Sequence, residues 1–324
     1  MSSAASTDAD NDSLGSRHGV TIVGSANMDI VFAVERIPRP GETLLADSAA
    51  RYPGGKGLNQ AIAAARAGAS TVFIGAIGDD DSGRALEATM HGATIDTRLV
   101  RTAPPGHASG QAFIVVDGSG ENTIIVASGA NTTVTDLTAE DRSRLERSSV
   151  VLMQLELPLG TVLAAATVAH SAGAIVMLNA APATLIGREL LDQLDVLIVN
   201  EHEARIIGCS EDLAAASATL ANSVDRLVVT LGSKGSVLYE HGFEVARIAA
   251  PKVEALDTTG AGDTFCGAFA AAIDEGRGFT DAATFASVAA ALSVLVLGAV
   301  PSVPQRAAIE AAAAAWGIDP VARA

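Results

Sequence analysis

Residues Asp195-Val196-Leu197-Ile198-Val199 run directly into Asn200-Glu201-His202-Glu203. The run 195–199 is apolar and β-branched with no polar alternation, the pattern of a strand covered on both faces. Residues 200–203 have helical grammar: Asn is a favoured N-cap, and Asn200 and Glu203 share one face of a first turn. A strand passing straight into a helix is the repeating unit of an open parallel sheet, and the same unit recurs along the chain. Runs at 20–25 (VTIVGS), 71–77 (TVFIGAI), 150–155 (VVLMQL), 174–178 (AIVML) and 226–230 (RLVVT) alternate with Ala-rich segments of helical length. The expected fold class is α/β, a mostly parallel central sheet with helices on both faces.

Several of these runs stop at a polar residue: Asn27 just past the first, then Glu156, Asn179, Asn200 and Thr230. Open α/β sheets bind ligands at the carboxyl ends of their strands, so these residues have a crevice on which to converge. Strands end in polar residues for ordinary reasons too, and singly each is explained either way.

Two segments break the alternation. Residues 31–53 are extended and carry Pro38, Pro40 and Gly41, while 109–128 read as two strands, SGQAFIVV and NTIIVAS, around the turn Asp117-Gly118-Ser119-Gly120. Together they are expected to form a small β-sheet lid. Phe113, Ile114, Val115 and Val116 are consecutive, so the hairpin is apolar on both faces; one face is expected to cover a substrate and the other a second copy of the chain.

The chain has 324 residues, 49% of them hydrophobic, enough for one large core; residues 19–324 are expected to form one domain. Its formal charge of -16 provides no basic field for nucleic acid or an anionic membrane. An anionic substrate would then have to be met by helix N-termini and a metal ion. Cys209 and Cys266 form no CxxC or paired-ligand spacing, which indicates a reducing, cytoplasmic setting rather than a disulfide framework. Residues 1–18 are rich in Ser, Ala, Asp and Asn and read as a disordered tail. The apolar stretch 285–300 is shorter than the ~20 residues a bilayer needs and reads as a buried helix.

The stretch richest in chemistry is Asp257-Thr258-Thr259-Gly260-Ala261-Gly262-Asp263-Thr264-Phe265, ahead of the helical run CGAFAAAID. Small residues let the amides of Ala261, Gly262 and Asp263 point together at a phosphate, reinforced by the positive end of the helix. That is an anion hole, with Asp263 beside it to accept the proton of an incoming hydroxyl. A loose phosphoryl transition state asks little basicity of that carboxylate. An N-cap in a tight glycine turn accounts for the same residues without chemistry.

A second constellation, Gly54-Gly55-Lys56-Gly57-Leu58-Asn59-Gln60, precedes AIAAARAG. It suits backbone amides, Lys56 and Asn59 against a polyhydroxylated ligand, or equally a flexible loop. It is not a Walker A loop, since Gly follows GK, and no GxGxxG follows the first strand. The third constellation is Asn200 with Glu203, placed to orient metal-bound water near phosphates or simply to start a solvated acidic helix.

In this order, GSANMD at 24–29, GGKGLNQ, MQLE, NEHE, TLGSKG and DTTGAGDTF resemble the ribokinase family of carbohydrate kinases, over about residues 20–310. The resemblance implies a ribokinase-like sheet, a β-lid that often mediates a homodimer, and transfer of the ATP γ-phosphate to a sugar hydroxymethyl group, with the 5-hydroxyl of D-ribose as the expected acceptor. It implies that Asn27, Met28, Asp29, Gly55, Lys56, Gly57, Asn59 and Glu156 hold the sugar with Asp263 as base. Mg-ATP would lie along Asn200, Thr230, Gly232, Ser233, Lys234, Gly235, Gly262 and Asp263, with Ser287 near the adenine and Glu203 acting through magnesium-bound water. An activating potassium ion is implied near Asp257, Thr259, Ser293, Val296, Gly298 and Ser302. Met28 and the apolar SVLVLG depart from the family's commonest pattern and leave 2-deoxyribose or another small sugar open. A nucleoside kinase would want more stacking rings than 3% aromatic residues provide. Kinases of sugar phosphates would want more cations than Lys56 alone. A non-catalytic sugar sensor on the same fold would not need Asp263, and a dehydrogenase would need the missing fingerprint.

Overall fold

The computed structural model describes residues 17–118 and 121–318. Its strands are β1 (Val20–Val23), β2 (Asn27–Val34), β3 (Ser48–Gly54), β4 (Thr71–Ile77), β5 (Asp96–Thr102), β6 (Gly110–Asp117), β7 (Asn122–Ala127), β8 (Val150–Met153), β9 (Ile175–Asn179), β10 (Val196–Asn200), β11 (Arg226–Thr230), β12 (Ser236–Glu240) and β13 (Phe243–Ile248). The helices are α1 (Lys56–Arg66), α2 (Asp81–Gly92), α3 (Ala139–Glu146), α4 (Leu159–Ser171), α5 (Arg188–Leu191), α6 (Glu201–Ile207), α7 (Leu213–Ala221), α8 (Ala261–Asp274), α9 (Phe279–Ser293), α10 (Ala299–Ser302) and α11 (Arg306–Ala315).

The large sheet has the order β13-β12-β11-β10-β9-β8-β1-β4-β5. It is parallel from β11 to β5, while β12 and β13 are added antiparallel at one edge. Each run expected to be a core strand is one. Of the three strands not anticipated, β5 and β13 form the two edges, where charged and exposed residues interrupt the apolar pattern, and β12 lies between β11 and β13 as a five-residue run, SVLYE, that opens and closes on polar residues.

Successive residues of the central strands feed two separate cores, as the period of two requires. Ile22, Phe73, Leu152, Met177, Ile198 and Val228 pack on one face with residues of α1, α8, α9 and α11. Val23, Ile74, Met153, Leu178, Val199 and Val229 pack on the other with residues of α3, α4, α6 and α7. Helices α1 and α8 approach closely because Gly267 offers no side chain; a Cβ there would stand 2.5 Å from Ala63 Cβ. That approach carries the ends of both helices to one place above the sheet.

The second sheet, β3-β2-β6-β7, is the expected lid. β2 pairs antiparallel with β3 and parallel with β6, and β6 forms the anticipated hairpin with β7. Two residues of its expected turn, Ser119 and Gly120, lie outside the described residues, as do 1–16 of the expected tail. His18, assigned to that tail, donates its N–H to Arg147 O at 3.2 Å.

The buried helix expected over 285–300 ends at Ser293. Residues 294–298 turn away instead, where Val294 O accepts from Leu256 and Asp257, leaving Leu295, Val296 and Leu297 exposed. Among the described residues no helix is long and apolar enough to cross a membrane.

Candidate active site

At the carboxyl end of β9, β10 and β11, the terminal residues Asn179, Asn200 and Thr230 open onto a cavity of about 140 Å³. Lys56 from the start of α1, Glu203 from α6 and Gly260, Gly262, Asp263 and Cys266 from the start of α8 complete its wall. A larger cavity of about 690 Å³, lined by His18, Asp96, Arg98, Arg144 and Arg147, lies on the β4–β5 side of the sheet, away from all of these groups. The smaller cavity gathers Lys56, Asn200, Glu203, Thr230, Gly262 and Asp263 of the residues singled out in the sequence, while Asn27, Asp29, Asn59 and Glu156 do not line it.

Helix α8 begins as its sequence requires. Gly260 is the N-cap in the left-handed region at φ 75°, which places the chain for the helix without a side-chain penalty. The amides of Gly262 and Asp263 sit in the first turn, where no intrahelical acceptor exists. Ala261, the first residue of the expected anion hole, turns its N–H onto Thr258 O at 3.2 Å.

Asp263 is buried, and donors hold both of its oxygens. Asn59 Nδ2 donates to Oδ2 at 3.0 Å and Gln60 Nε2 donates to Oδ1 at 2.9 Å. Asn59 Oδ1 is itself buried without a partner, an acceptor left for a ligand hydroxyl beside the carboxylate.

Glu156 and Asp263 bring negative charge to both Asp29 and Lys56. Burial, then Glu156 and Asp263, push the Asp29 carboxyl up to about 7. Lys56 is held above its ordinary value, chiefly by Asp263 and against its burial, with Glu156 and Glu203 adding to the effect. An ammonium so surrounded stays charged and offsets the carboxylates. Glu156 Oε2 accepts from Lys56 N at 3.1 Å and from the Ser25 hydroxyl. Asn27 is buried, and its Oδ1 accepts from Asn131 Nδ2 at 2.7 Å, while Asn131 Oδ1 accepts from Ala26 N at 3.1 Å.

The glycines of GGKG permit a close approach of backbone to backbone. Gly55 has φ 90°, and a Cβ there would stand 2.8 Å from Asn27 N. They let the loop lie flat against the 24–29 segment, and the amide of Lys56 serves Glu156 instead of a ligand. The Met28 side chain alternates away from Asn27 and Asp29 into the hydrophobic core.

On the nucleotide side, Asn200 and Glu203 form a reciprocal cap, with Glu203 N donating to Asn200 Oδ1 and Asn200 N to Glu203 Oε2, both at 2.8 Å. Burial raises the Glu203 carboxyl above its ordinary range, partly countered by the Asn200 bond and by Lys56. The pair starts the helix, and both residues also line the cavity. Gly232, Ser233 and Lys234 form an exposed turn after β11, closed by Gly235, and do not line the cavity. Ser287 is buried along α9 between core residues and does not line it either.

The implied potassium residues fall on two loops tied by Asp257. Its oxygens accept from Thr259 N and Gly298 N, each at 2.8 Å. Burial opposes these bonds, but together they hold the Asp257 carboxyl below its ordinary value. The Ser293 and Ser302 hydroxyls donate to Ala290 O and Ala299 O, and the polar side chains of the implied set, Asp257, Thr259, Ser293 and Ser302, carry oxygen only. That all-oxygen surrounding fits a hard monovalent cation.

Sequence reasoning gave no role to Ser25, Gln60, Asn131 and Gln154, which hold the site from behind. The signal they carry is polarity in apolar surroundings: Gln154 interrupts the run 150–155, and Gln60 stands before AIAAA.

A family model described as pfkB family carbohydrate kinase matches residues 17–306. Ribokinase of Haemophilus influenzae is 40% identical over 297 residues, covering 90% of this chain and 96% of that protein. Ribokinase of Bacillus subtilis is 39% identical over 293 residues, covering 90% and 98%. The structure of Arabidopsis thaliana ribokinase complexed with ribose and ATP superposes with a TM-score of 0.85 at 34% identity, covering 91% of this chain and 98% of that one.

Proposed function

The chain belongs to the pfkB family of carbohydrate kinases, and from that premise we propose that it transfers the γ-phosphoryl group of ATP to the 5-hydroxyl of D-ribose, giving ribose 5-phosphate and ADP. The observation that carries this reading is Asp263 at the start of α8, shared between the Asn27–Asp29–Glu156 cluster and the cavity lined by Asn200, Glu203 and Thr230. One carboxylate bordering a hydroxyl-binding cluster and a phosphate-sized cavity is what in-line transfer needs.

In this reading Asp29, Asn59 and Glu156 bind sugar hydroxyls; a carboxylate accepts from two adjacent hydroxyls, and leaving it unpaired penalises analogues lacking one. Asp263 takes the proton from the 5-hydroxyl as that oxygen bonds to the γ-phosphorus and the bond to the β,γ-bridging oxygen breaks. The amides of Gly262 and Asp263 and the Lys56 ammonium meet the charge that spreads over the phosphoryl oxygens. Glu203 would orient a water bound to the magnesium of Mg-ATP, and that metal would supply further neutralisation of the phosphates. Asp257, Thr259, Ser293, Val296, Gly298 and Ser302 would hold potassium, whose charge would add to the positive field ahead of α8. The turn 232–235 and Ser287 lie toward the adenosine part.

The lid closes over the sugar, and its outer surface pairs two chains. Ile124, Ile125 and Val126 on β7 are 52%, 66% and 46% exposed, an apolar strip that favours a partner. The cytoplasm, reducing and ATP-rich, is the matching location.

The test is ATP consumption with ribose, 2-deoxyribose, fructose or adenosine, with and without potassium. Ribose turnover stimulated by potassium is expected, and activity with adenosine but not ribose would overturn the assignment. Sedimentation at micromolar concentration should give a dimer; a monomer removes the pairing through the lid.

A further inference from the structure

The geometry points to a positioning role for two buried amides, Gln60 and Gln154, which hold the Asp263 carboxylate from the protein interior. This rests on Asp263 being the base of the proposed reaction. Gln60 is 0% and Gln154 1% exposed, and neither is explained by the sugar or nucleotide contacts described above.

The Gln60 amide nitrogen has two hydrogens, and both are used. One goes to Asp263 Oδ1 at 2.9 Å and the other to Asn179 Oδ1 at 3.0 Å. Its oxygen accepts from Gln154 Nε2 at 2.6 Å. Turning the Gln60 amide over would set its oxygen against two oxygens and its NH₂ against the NH₂ of Gln154. The acceptor-only oxygens of Asp263 and the donor of Gln154 therefore agree on one direction for the Gln60 amide, and Gln60 sets the plane of the Asp263 carboxylate together with Asn59 on Oδ2.

The relay joins four elements: Gln154 directly follows β8, Gln60 lies in α1, Asn179 ends β9 and Asp263 lies in the first turn of α8. Asn179 Nδ2 continues it to Ile198 O in β10 at 3.3 Å. Buried amides in an otherwise apolar core cost desolvation, and Gln154 Oε1 has no hydrogen-bond partner at all. An apolar pair would pack there without that penalty. What the amides add is a fixed direction for the base, and misplacing a reacting group by about 1 Å can cost on the order of a hundredfold in rate.

The experiment compares wild type with Gln154→Met, which keeps volume but donates no hydrogen bond, and Gln154→Glu. In Gln154→Met, kcat should fall about tenfold or more, with KM for ribose and for ATP changed less than about twofold, because Gln154 does not line the substrate cavity. Thermal midpoint should stay close to wild type. In Gln154→Glu the protonated acid can still donate to Gln60, so kcat should decline as pH rises through the ionisation of that new carboxyl, a dependence that packing alone would not create. A Gln154→Met kcat within about twofold of wild type overturns the relay while leaving the kinase reading standing. If wild type turns over no sugar, the kinase reading falls. The crystal structure of Gln154→Met then decides the relay: rotated Gln60 and Asp263 side chains support it, and unchanged ones remove it.

Discussion

The carboxylate of Asp29 occupies the space that a side chain at Gly54 would need: a Cβ there would stand 2.6 Å from Asp29 Cγ. Asn27 and Gly54 are paired across β2 and β3, so this contact lies at the root of the lid. Gly54→Ala should push Asp29 out of position and raise the ribose KM at least about tenfold, with KM for ATP little changed. Steady-state kinetics with each substrate varied in turn check it; equal changes in both constants would locate the damage elsewhere.

Asp29 also predicts a pH dependence. With its carboxyl raised to about 7 in the free protein, it is protonated at mildly acidic pH and offers poorer acceptors to sugar hydroxyls. KM for ribose should rise as pH falls below about 7, and Asp29→Asn should bind sugar weakly with that dependence gone. Stability moves the opposite way. A carboxyl raised from 3.8 on folding stabilises the protein below pH 3.8, and that contribution is lost as pH rises through about 7. Asp29→Asn should therefore melt above wild type at pH 8, the gap closing toward pH 4 in calorimetry.

Asp263→Asn keeps the shape of the side chain but removes the acceptor of the hydroxyl proton. Turnover should fall by about two to four orders of magnitude, the range of general-base contributions, with the fold retained. Near-normal kcat would refute the role of Asp263. Circular dichroism checks the fold in the same preparation.

Glu203→Gln keeps an oxygen for the Asn200 amide but removes the charge that faces the cavity. The melting temperature should stay within a few degrees, while the magnesium concentration needed for half-maximal rate should rise severalfold. An unchanged magnesium titration would limit Glu203 to capping its helix. Glu203→Ala should add a loss of about 1 kcal/mol from the broken cap, read by denaturant unfolding.

Much of this architecture is legible in linear order because it depends on local pattern. Uninterrupted runs such as Val196–Val199 require cover on both faces, and their helical successors provide it, so the alternation sets the central sheet. Asn179, Asn200 and Thr230 were readable as crevice residues because parallel strands all end on the same side. The edge strands β5 and β13 were not, since exposure dilutes the apolar pattern that marks a strand, and β12 was too short a run between polar residues to stand out. The helix limit at Ser293 was also hidden: SVLVLG is apolar enough to continue, and what stops it is a hydrogen bond from the distant Leu256 to Val294 O at 2.8 Å.

The chemistry divides along the same line. Residue order alone determined that a small-residue turn opens a helix with Asp263 in its first turn, because glycine at a cap and an acid at a helix start are consequences of backbone geometry over a few residues. Only the tertiary structure decided what that acid would face. Asn59 and Gln60 reach it across 204 and 203 positions of chain, Asp29 is raised by burial beside Glu156, and Ala261 loses its amide to Thr258. Burial and long-range pairing set those properties, and both arise only when α1, α8 and the strand ends are packed together.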